Sequence, residues 1–469
     1  MKQLLLNPLI LSLLALAALI YIAIGFQLIN ANSRWTKLFE RVCVNLLMLT
    51  ISGIVIGLWS KFNPETLYMV DKTLPSMVLQ LGTYAICCLF LYSRLRHTLN
   101  NSIFVLFSFI QLNPAFCFYV FFLTLSFLWS VTPTYTLKAS IVFLGITLFF
   151  AYVGKEYSMK ELFNLLLWHH TVLLVMSLIF RASIGDGWSG VLGHKNPFGF
   201  TMALAVIFLY VQSVATPKYR IVFLSLSALG VICVQKANSG MGKVLLVVLI
   251  SLLVFLRFIR RLPPRLAFAS MGVFLAVGVS LVILITENAE YIIVEKLGKD
   301  MTLTGRTLFW PLVVNAINKH PWLGYGYQAF WQPWLGEANP ASGIRTPNFI
   351  PQHSHNGYLD MGLYLGWFGL ALFIVSLLTN IYYAVLHLTR NKNPESVLPL
   401  VIFTWIIISN ITENGIERIA PSWMFYVLMT ARLTLDRVES KFSPNSQFQN
   451  PVPVELSALF NSSSSGEGR

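Results

Sequence analysis

The residues best suited to acid–base chemistry lie in one short stretch, QHSHNGYLD, at positions 352–360. It contains two histidines, His353 and His355, and one carboxylate, Asp360. An imidazole with an unperturbed pKa of about 6.5 can act as a neutral base near pH 7. We therefore predict that His355 removes a proton from an attacking hydroxyl, with His353 in a structural or supporting role. A purely structural His355 and a metal site are the alternatives, although no third or fourth metal ligand has convincing spacing.

A second chemistry is indicated by basic residues at three predicted helix starts: Lys195 in GHKNPFG, Lys243 in NSGMGK and Arg306 in TGR. A residue type that caps helices accompanies each of them: Asn196, Ser239 or Thr304. Pro197 then suits the first helical position after Asn196. A cation at a helix N-terminus opposes the helix dipole by a few tenths to about 1 kcal/mol, so it calls for a counter-anion. Helix N–H groups together with Lys and Arg form a natural phosphate site, and contact with lipid phosphates is the alternative.

The remaining polar candidates surround the same helix starts. Ser354 or Asn356 can cap the last of the outward helix starts. Asp360 either orients groups beside the predicted base or stabilises that helix through its charge. Glu413, in NITENGIER, either pairs with Arg418 or lines the site. We predict substrate contacts for six residues: Lys195, Asn196, Lys243, Asn356, Asp360 and Glu413.

The elements that must position these residues are membrane helices. Of the 469 residues, 56% are hydrophobic and 11% are charged, whereas soluble domains are about 25% charged. A membrane span requires about 20 mostly apolar residues. Apolar stretches of about this length recur along almost the whole chain. They predict an all-α polytopic integral membrane protein with about 12 to 14 transmembrane helices. The predicted spans lie near 5–29, 41–60, 74–93, 114–131, 136–154, 161–181, 197–214, 219–236, 241–258, 266–286, 360–386, 397–413 and 421–434.

The charge distribution predicts the orientation of the chain. A net charge of +14 fits the excess of Lys and Arg in cytoplasmic loops better than nucleic-acid binding, for which no motif is present. The basic stretch RFIRRLPPR then lies in the cytoplasm. This orientation divides the chain into an N-terminal transmembrane bundle, a long extracytoplasmic loop with an amphipathic helix, C-terminal transmembrane helices and a disordered cytoplasmic tail. These parts comprise residues 1–286, 287–359, 360–434 and 435–469.

The long extracytoplasmic loop is rich in aromatic residues. They are Trp310, Trp322, Tyr325, Tyr327, Phe330, Trp331 and Trp334. One interpretation is a belt at the membrane–water interface, where Trp and Tyr are enriched. The other is a surface that stacks on sugars, and both can hold at once. The stretch GRTLFWPLVVNAINKH has helical periodicity and can lie along the membrane surface.

Three of these stretches together resemble the O-antigen ligase and O-antigen polymerase superfamily of bacterial envelope proteins. They are GHKNPFG, TGRTLFWPLVVNAINKHPWLGYGYQAFW and HSHNGYLDMGLYLGWFGL. Their order, their spacing and the long outward loop all match, and the resemblance covers roughly residues 185–370. In the preceding part of the chain it rests on topology and on FLWSVTP, at 127–133.

The resemblance implies an inverting, metal-independent glycosyltransferase of the bacterial cytoplasmic (inner) membrane that needs no cofactor. Its donor is a glycan on undecaprenyl diphosphate, and its acceptor is a glycan or glycolipid at the extracytoplasmic face. By resemblance His355 is the base, Arg306 holds the diphosphate, and Lys195 is the best match for a second cation. Besides membrane lipid, envelope polysaccharide assembly proteins are candidate partners.

The chain departs from the family pattern at two positions. Many ligases have a glutamate nine residues after the histidine, where this chain has Tyr364. The basic residue of GHKN is Lys195 rather than arginine, so a bidentate grip on phosphate is lost there. The stretches HNGYLDMGLYLG and GHKNPFG resemble the exopolysaccharide-polymerase branch more closely, which favours joining repeat units over transfer of a finished chain to lipid A core.

Two other classes of function remain as alternatives to a transferase. A transporter such as a flippase of lipid-linked glycans would place charges in mid-membrane on broken helices and often shows internal repeats. No clear repeat relates the two halves of this sequence, and the candidate residues cluster at one face. A non-enzymatic envelope assembly protein is the third class, and it would not require His355 or Arg306 in particular.

Overall fold

The computed structural model describes residues 34–54, 107, 109–180, 183–184, 187–287, 306–345 and 351–442. Most of this is helix, as predicted for an all-α membrane protein. In chain order the helices are α1 (Arg34–Ile51), α2 (Pro114–Leu125), α3 (Pro133–Glu156), α4 (Met159–Ile179), α5 (Lys195–Ala215), α6 (Arg220–Lys236), α7 (Gly240–Ile259), α8 (Pro264–Glu287), α9 (Arg306–Lys319), α10 (Gly357–Arg390), α11 (Leu398–Thr412) and α12 (Pro421–Phe442). A two-residue antiparallel pair, β1 (Ser183–Ile184) and β2 (Gly187–Trp188), precedes α5.

Seven helices in the described residues are long and apolar enough to cross a membrane. They are Pro133–Glu156, Met159–Ile179, Lys195–Ala215, Pro217–Lys236, Gly240–Ile259, Gly357–Arg390 and Pro394–Thr412. The chain is therefore a multi-pass membrane protein. The predicted spans at 5–29 and 74–93 lie outside the described residues. Helix α12 continues to Phe442, past the predicted end at 434.

Buried polar side chains join the apolar helices. Asn113 caps α2, accepting from Phe116 N at 3.2 Å, and donates to Asn380 Oδ1 of α10 at 2.9 Å. Asn380 in turn donates to Thr430 Oγ1 and Tyr426 OH of α12, at 2.8 and 3.1 Å. Hydrogen bonds between membrane helices contribute about 0.6 kcal/mol each and fix which helices are neighbours. This network holds α2, α10 and α12 together.

Helix α10 is broken at Gly366, where φ is +67°. The break releases backbone carbonyls inside an apolar helix, and such groups need partners in a membrane. Tyr325 N and Gly326 N donate to the carbonyls of Leu363 and Tyr364 at 2.9 and 3.0 Å. The loop after α9 is therefore bonded directly to the first turns of α10.

Helix α9 is the helix predicted within the long loop, and it packs through one face. Phe309, Val313 and Ile317 are buried, at the spacing that places residues on one side of a helix. A Cβ built at Gly362 of α10 would lie 2.9 Å from Ile317 Cδ1, so the two helices touch there. Helix α9 is thus fixed against the start of α10, next to QHSHNGYLD.

The aromatic residues of the long loop differ in how deeply they are buried, and Trp310 and Trp331 are half-buried. Tyr325, Tyr327 and Phe330 are buried within the protein. They are core residues, whereas the sequence had suggested an interfacial belt or a sugar-stacking surface. Trp322 and Trp334 are 71% and 61% exposed, so both interpretations stay open for these two side chains.

Candidate active site

The loop that carries His355 is held by two tryptophans and one carboxylate. Asp360 is fully buried and accepts from Trp331 Nε1 at 2.8 Å and from Ser354 N at 3.1 Å. Trp310 of α9 donates to the Ser354 carbonyl at 2.9 Å. Asp360 also lies in the first turn of α10, so its contacts are compatible with both roles predicted for it, orientation of the backbone before His355 and stabilisation of the helix through its charge.

His355 has an unusual backbone conformation, with φ at +53°. Residues other than glycine rarely adopt this region, and such strain concentrates at functional sites. Its backbone N–H donates to His353 Nδ1 at 3.1 Å, and the two rings are 3.9 Å apart. Asn356 then caps α10, accepting from Tyr358 N and Leu359 N. His353 therefore supports the turn that presents the His355 ring.

Glu413, which follows α11, lies beside His355. Its Oε2 is 4.0 Å from His355 Nδ1, and the two side chains are 15% and 22% exposed. The Glu413 carbonyl accepts from Gly357 N at 3.1 Å, which fixes the end of α11 against the start of α10. The sequence left open whether Glu413 pairs with Arg418 or lines the site, and its contacts here are with His355 and Asn196.

Asn196 connects Glu413 to a third helix start. Its Nδ2 donates to Glu413 Oε1 at 2.8 Å, and its Oδ1 accepts from Ser239 Oγ at 3.0 Å. Ser239 also caps α7, accepting from Gly242 N at 3.2 Å. The starts of α5, α7 and α10 therefore meet at one end of the bundle, joined by side chains that were singled out from the sequence.

The predicted capping role of Asn196 is wrong. Helix α5 begins two residues earlier than predicted, at Lys195, and its N-cap is His194, whose ring accepts from Asn196 N. Pro197 is then the third helical residue rather than the first, a position whose N–H has no intrahelical partner in any case. Because Asn196 is inside the first turn, its side chain bonds across the site instead of back to its own helix.

A cavity of about 630 Å³ adjoins Glu413. Volumes of about 300 to 1,000 Å³ are typical of ligand sites. One part of its wall is polar and contains Asn410, Glu413, Asn414, Arg418 and Ser422. Another part is apolar and contains Leu47, Ile51, Phe200 and Trp405. A ligand with both a polar group and an apolar chain suits such a wall.

Arg418 supplies positive charge to this cavity. Its side chain is exposed, and no other residue in the described part of the wall is basic. From the sequence Arg418 was considered only as a partner of Glu413. The available signal was the polar stretch NITENGIER between two spans, where ionisable residues deserve a functional interpretation.

The three predicted cations occupy different places. Lys195 is the first residue of α5, and its stem runs close to β2, since a Cβ at Gly187 would lie 3.3 Å from Lys195 Cδ. Lys243 lies in the first turn of α7. Within the described wall of the cavity neither lysine is present. Arg306 begins α9, one turn before Trp310.

Part of the chain matches the sequence model of a known protein family. Residues 223–374 match the model of the O-antigen ligase family. This part of the chain is similar to O-antigen ligases. The match includes Arg306, His355 and Asp360, and it confirms the resemblance seen in the sequence.

The chain is also similar to a named bacterial protein over a longer stretch. The chain is 24% identical over 334 residues to the exopolysaccharide production protein ExoQ of Rhizobium meliloti (strain 1021). The alignment covers 68% of this chain and 76% of that protein. This second similarity is therefore to a protein named for exopolysaccharide production.

The departure from the family pattern at Tyr364 has a structural counterpart. Tyr364 is buried, and its ring meets the edge of Tyr327 at 6.0 Å. The carboxylate next to His355 is instead Glu413, from the end of another helix.

Glu417 lies behind the site and is buried. Its Oε2 accepts from Gly415 N at 2.9 Å, and a Cβ at Gly357 would lie 2.9 Å from the same oxygen. Burial and the nearby Asp360 carboxylate raise the pKa of Glu417, while Arg418 opposes this shift. The Glu417 carboxyl group therefore favours the protonated state more than a solvent-exposed glutamate does.

Proposed function

We propose that the protein joins a diphosphate-linked lipid glycan to a sugar hydroxyl at the extracytoplasmic face of the cytoplasmic membrane. The observation that carries this proposal is the pairing of His355 with Glu413 beside a cavity of mixed polarity. The left-handed backbone of His355 and the buried contacts of Asp360 fix the turn that carries the imidazole. Such preorganisation is what a general base requires.

In the proposed reaction His355 takes the proton of the acceptor hydroxyl. The acceptor oxygen forms a bond to the anomeric carbon, and the bond from that carbon to the diphosphate oxygen breaks with inversion. Because the leaving diphosphate is a stable anion, it needs no proton from the protein. Glu413 stabilises the imidazolium that forms, as the carboxylate of a catalytic triad does.

Two arginines are proposed to hold the diphosphate. Arg418 is exposed in the cavity wall, and Arg306 begins α9, whose Trp310 contacts the loop of His355. Arg groups bind phosphate oxygens in a bidentate manner. Lys195 and Lys243, at the starts of α5 and α7, contribute positive potential, and Asn196 and Asn356 contribute through the positions of their helix starts.

The donor is proposed to be carried on undecaprenyl diphosphate, and the acceptor to be a growing glycan. The apolar part of the cavity wall suits the isoprenoid end of such a donor. ExoQ is named for exopolysaccharide production, which supports polymerisation of repeat units over ligation to lipid A core. Partner proteins that assemble envelope polysaccharide are also part of this proposal.

The test replaces His355 with alanine in the full-length protein and supplies a purified lipid-linked repeat unit in detergent. General-base catalysis contributes roughly 10²- to 10⁴-fold, so glycan formation should fall by at least about 100-fold. His320→Ala is the matched control, because His320 is an exposed histidine of the same long loop. Membrane abundance of both variants is measured by immunoblot.

The products separate the alternatives. A second experiment examines the glycans of cells whose only copy of the protein carries His355→Ala. A glycan ladder that shortens to one repeat unit indicates a polymerase, whereas accumulated lipid-linked polymer indicates a ligase. An unchanged glycan in abundant His355→Ala protein would exclude the base role. Movement of lipid-linked glycan across vesicles without a new glycosidic bond would identify a flippase.

A further inference from the structure

A second cavity lies at the other end of α7 from the candidate active site. Its volume is about 260 Å³, and four cationic side chains are in its wall: Arg257, Arg260, Arg261 and Lys392. Helix α7 has 20 residues, which at about 1.5 Å per residue span about 30 Å. This is about the thickness of the bilayer core, so the two cavities lie at opposite membrane surfaces.

These four cations are held close together without a carboxylate. The guanidinium of Arg257 lies over the ring of Tyr210, 5.4 Å from its centroid. The ammonium of Lys392 donates to the backbone carbonyl of Arg260 at the end of α7. Within the described part of the chain, no ion pair joins a carboxylate to any of the four. Their mutual repulsion favours an external anion.

A neighbouring cavity at the same end of the bundle shows the contrast. It also measures about 260 Å³ and has Arg390 and Arg437 in its wall. There the protein supplies its own anion, because Asp436 lies 2.9 Å from His387 Nδ1 and 2.6 Å from Arg432 Nη2. The missing carboxylate is therefore a property of the cavity at the end of α7 and not of this whole surface.

The rest of the wall of the α7 cavity is apolar. It contains Val211, Val214, Leu253 and Val397, together with the ring of Tyr210. A free phosphate ion would gain nothing from these side chains, whereas an acyl chain would bury apolar surface against them. Basic cavities between transmembrane helices on the cytoplasmic side bind lipid headgroups by this combination of charge and apolar contact.

We propose that this cavity binds the phosphate headgroup of an anionic phospholipid in the leaflet opposite the active site. The proposal is independent of the glycosyltransferase mechanism. It gives part of RFIRRLPPR a function beyond setting the orientation of the chain. The positive-inside rule depends only on the number of basic residues in a loop and does not require that they line a cavity.

The experiment titrates the purified full-length protein, in a zwitterionic detergent, with phosphatidylglycerol or phosphatidylcholine. Native mass spectrometry measures the lipid concentration for half occupancy. We expect preference for phosphatidylglycerol, and an at least roughly fivefold higher half-occupancy concentration in Arg257→Gln/Arg260→Gln, since each basic residue near an anionic lipid contributes about 1 kcal/mol. Lys392→Gln should shift it in the same direction and serves if the double variant does not fold.

Arg220→Gln/Arg265→Gln is the matched control. Both residues are exposed at the same end of the bundle, and neither belongs to the described wall of the cavity. An equal loss of phosphatidylglycerol in this control would overturn the proposal, because surface charge alone would then explain binding. Equal binding of the two lipids, or full displacement of phosphatidylglycerol by millimolar inorganic phosphate, would also overturn it.

Discussion

At the scale of single residues, the pair of His355 and Glu413 is the centre of the site. Glu413 is bonded on its other side to Asn196, whose partner is Ser239. A carboxylate that is held in place by other side chains can stabilise a charged imidazole without having to reorganise. In the proposed mechanism Glu413 is therefore a positioning residue for His355 rather than a group that reacts itself.

Glu413→Gln should reduce glycan formation by roughly 10- to 100-fold. It should also move the acidic limb of the pH–rate profile to lower pH, because a neutral amide stabilises the protonated imidazole less than a carboxylate does. The measurement is kcat/KM against pH with a purified lipid-linked donor.

Glu337→Gln is the control for this prediction, because Glu337 is an exposed glutamate of the same long loop. A Glu413→Gln variant that loses activity while keeping the wild-type pH profile would show that Glu413 acts only in folding or packing of the site.

At the scale of elements, the site depends on the break in α10. The freed carbonyls of Leu363 and Tyr364 accept from the loop after α9, and Trp367 N donates to the Pro321 carbonyl at 2.7 Å. These bonds fix α9, and with it Trp310, against the loop of His355. A continuous α10 would have no carbonyls to offer, so the long loop would lose its attachment.

Gly366→Ala should therefore destabilise the protein. At φ +67° a Cβ would lie 2.5 Å from the Pro321 carbonyl oxygen, so both strain and collision result. We expect a lower thermal unfolding temperature in detergent, corresponding to a loss of about 1 to 3 kcal/mol.

Gly145→Ala provides the comparison with opposite sign. Gly145 lies within α3 and a Cβ there would meet no atom within 4 Å, so alanine should leave stability unchanged or raise it by roughly 0.5 to 1 kcal/mol. Equal unfolding temperatures for the Gly366→Ala and wild-type proteins would show that the break in α10 is not a rigid feature.

At the scale of the whole molecule, the loop between α11 and α12 couples the stability of the bundle to pH. Glu417 is 1% exposed, and its Oε1 has no hydrogen-bond partner within the described residues. Burial raises its pKa, so the folded protein holds this proton more tightly than the unfolded chain does. Stability from this group therefore falls as pH rises above about 4.3, the ordinary value of a glutamate.

Glu417→Gln should remove this dependence. Thermal unfolding of wild type and variant is compared between about pH 5 and about pH 8, and the wild type should lose more stability than the variant over that range. Glu337→Gln, at an exposed glutamate, should follow the wild type. Parallel curves for Glu417→Gln and the wild type would contradict a buried, proton-binding Glu417.

Much of this protein can be predicted from its sequence because the signals are local. Long apolar stretches define the membrane helices, and Asn356 and Ser239 cap helices through bonds to residues two or three positions away. His355 stands out because its titratable ring is followed at once by a helix cap and an apolar helix. Such features depend on neighbours in the chain and need no knowledge of packing.

Only the tertiary structure decides which of these residues act together. His355 and Glu413 are far apart in sequence, and they meet because Gly357 N bonds to the Glu413 carbonyl where α11 ends against α10. Arg418 is in the described wall of the cavity, whereas Lys195 and Lys243 are not. Helix packing decides this, and no local sequence pattern predicts it. The sequence by itself determined a multi-pass helical membrane protein and its candidate residues. Long-range contacts determined which of them form one site, because those distances are set by packing rather than by spacing along the chain.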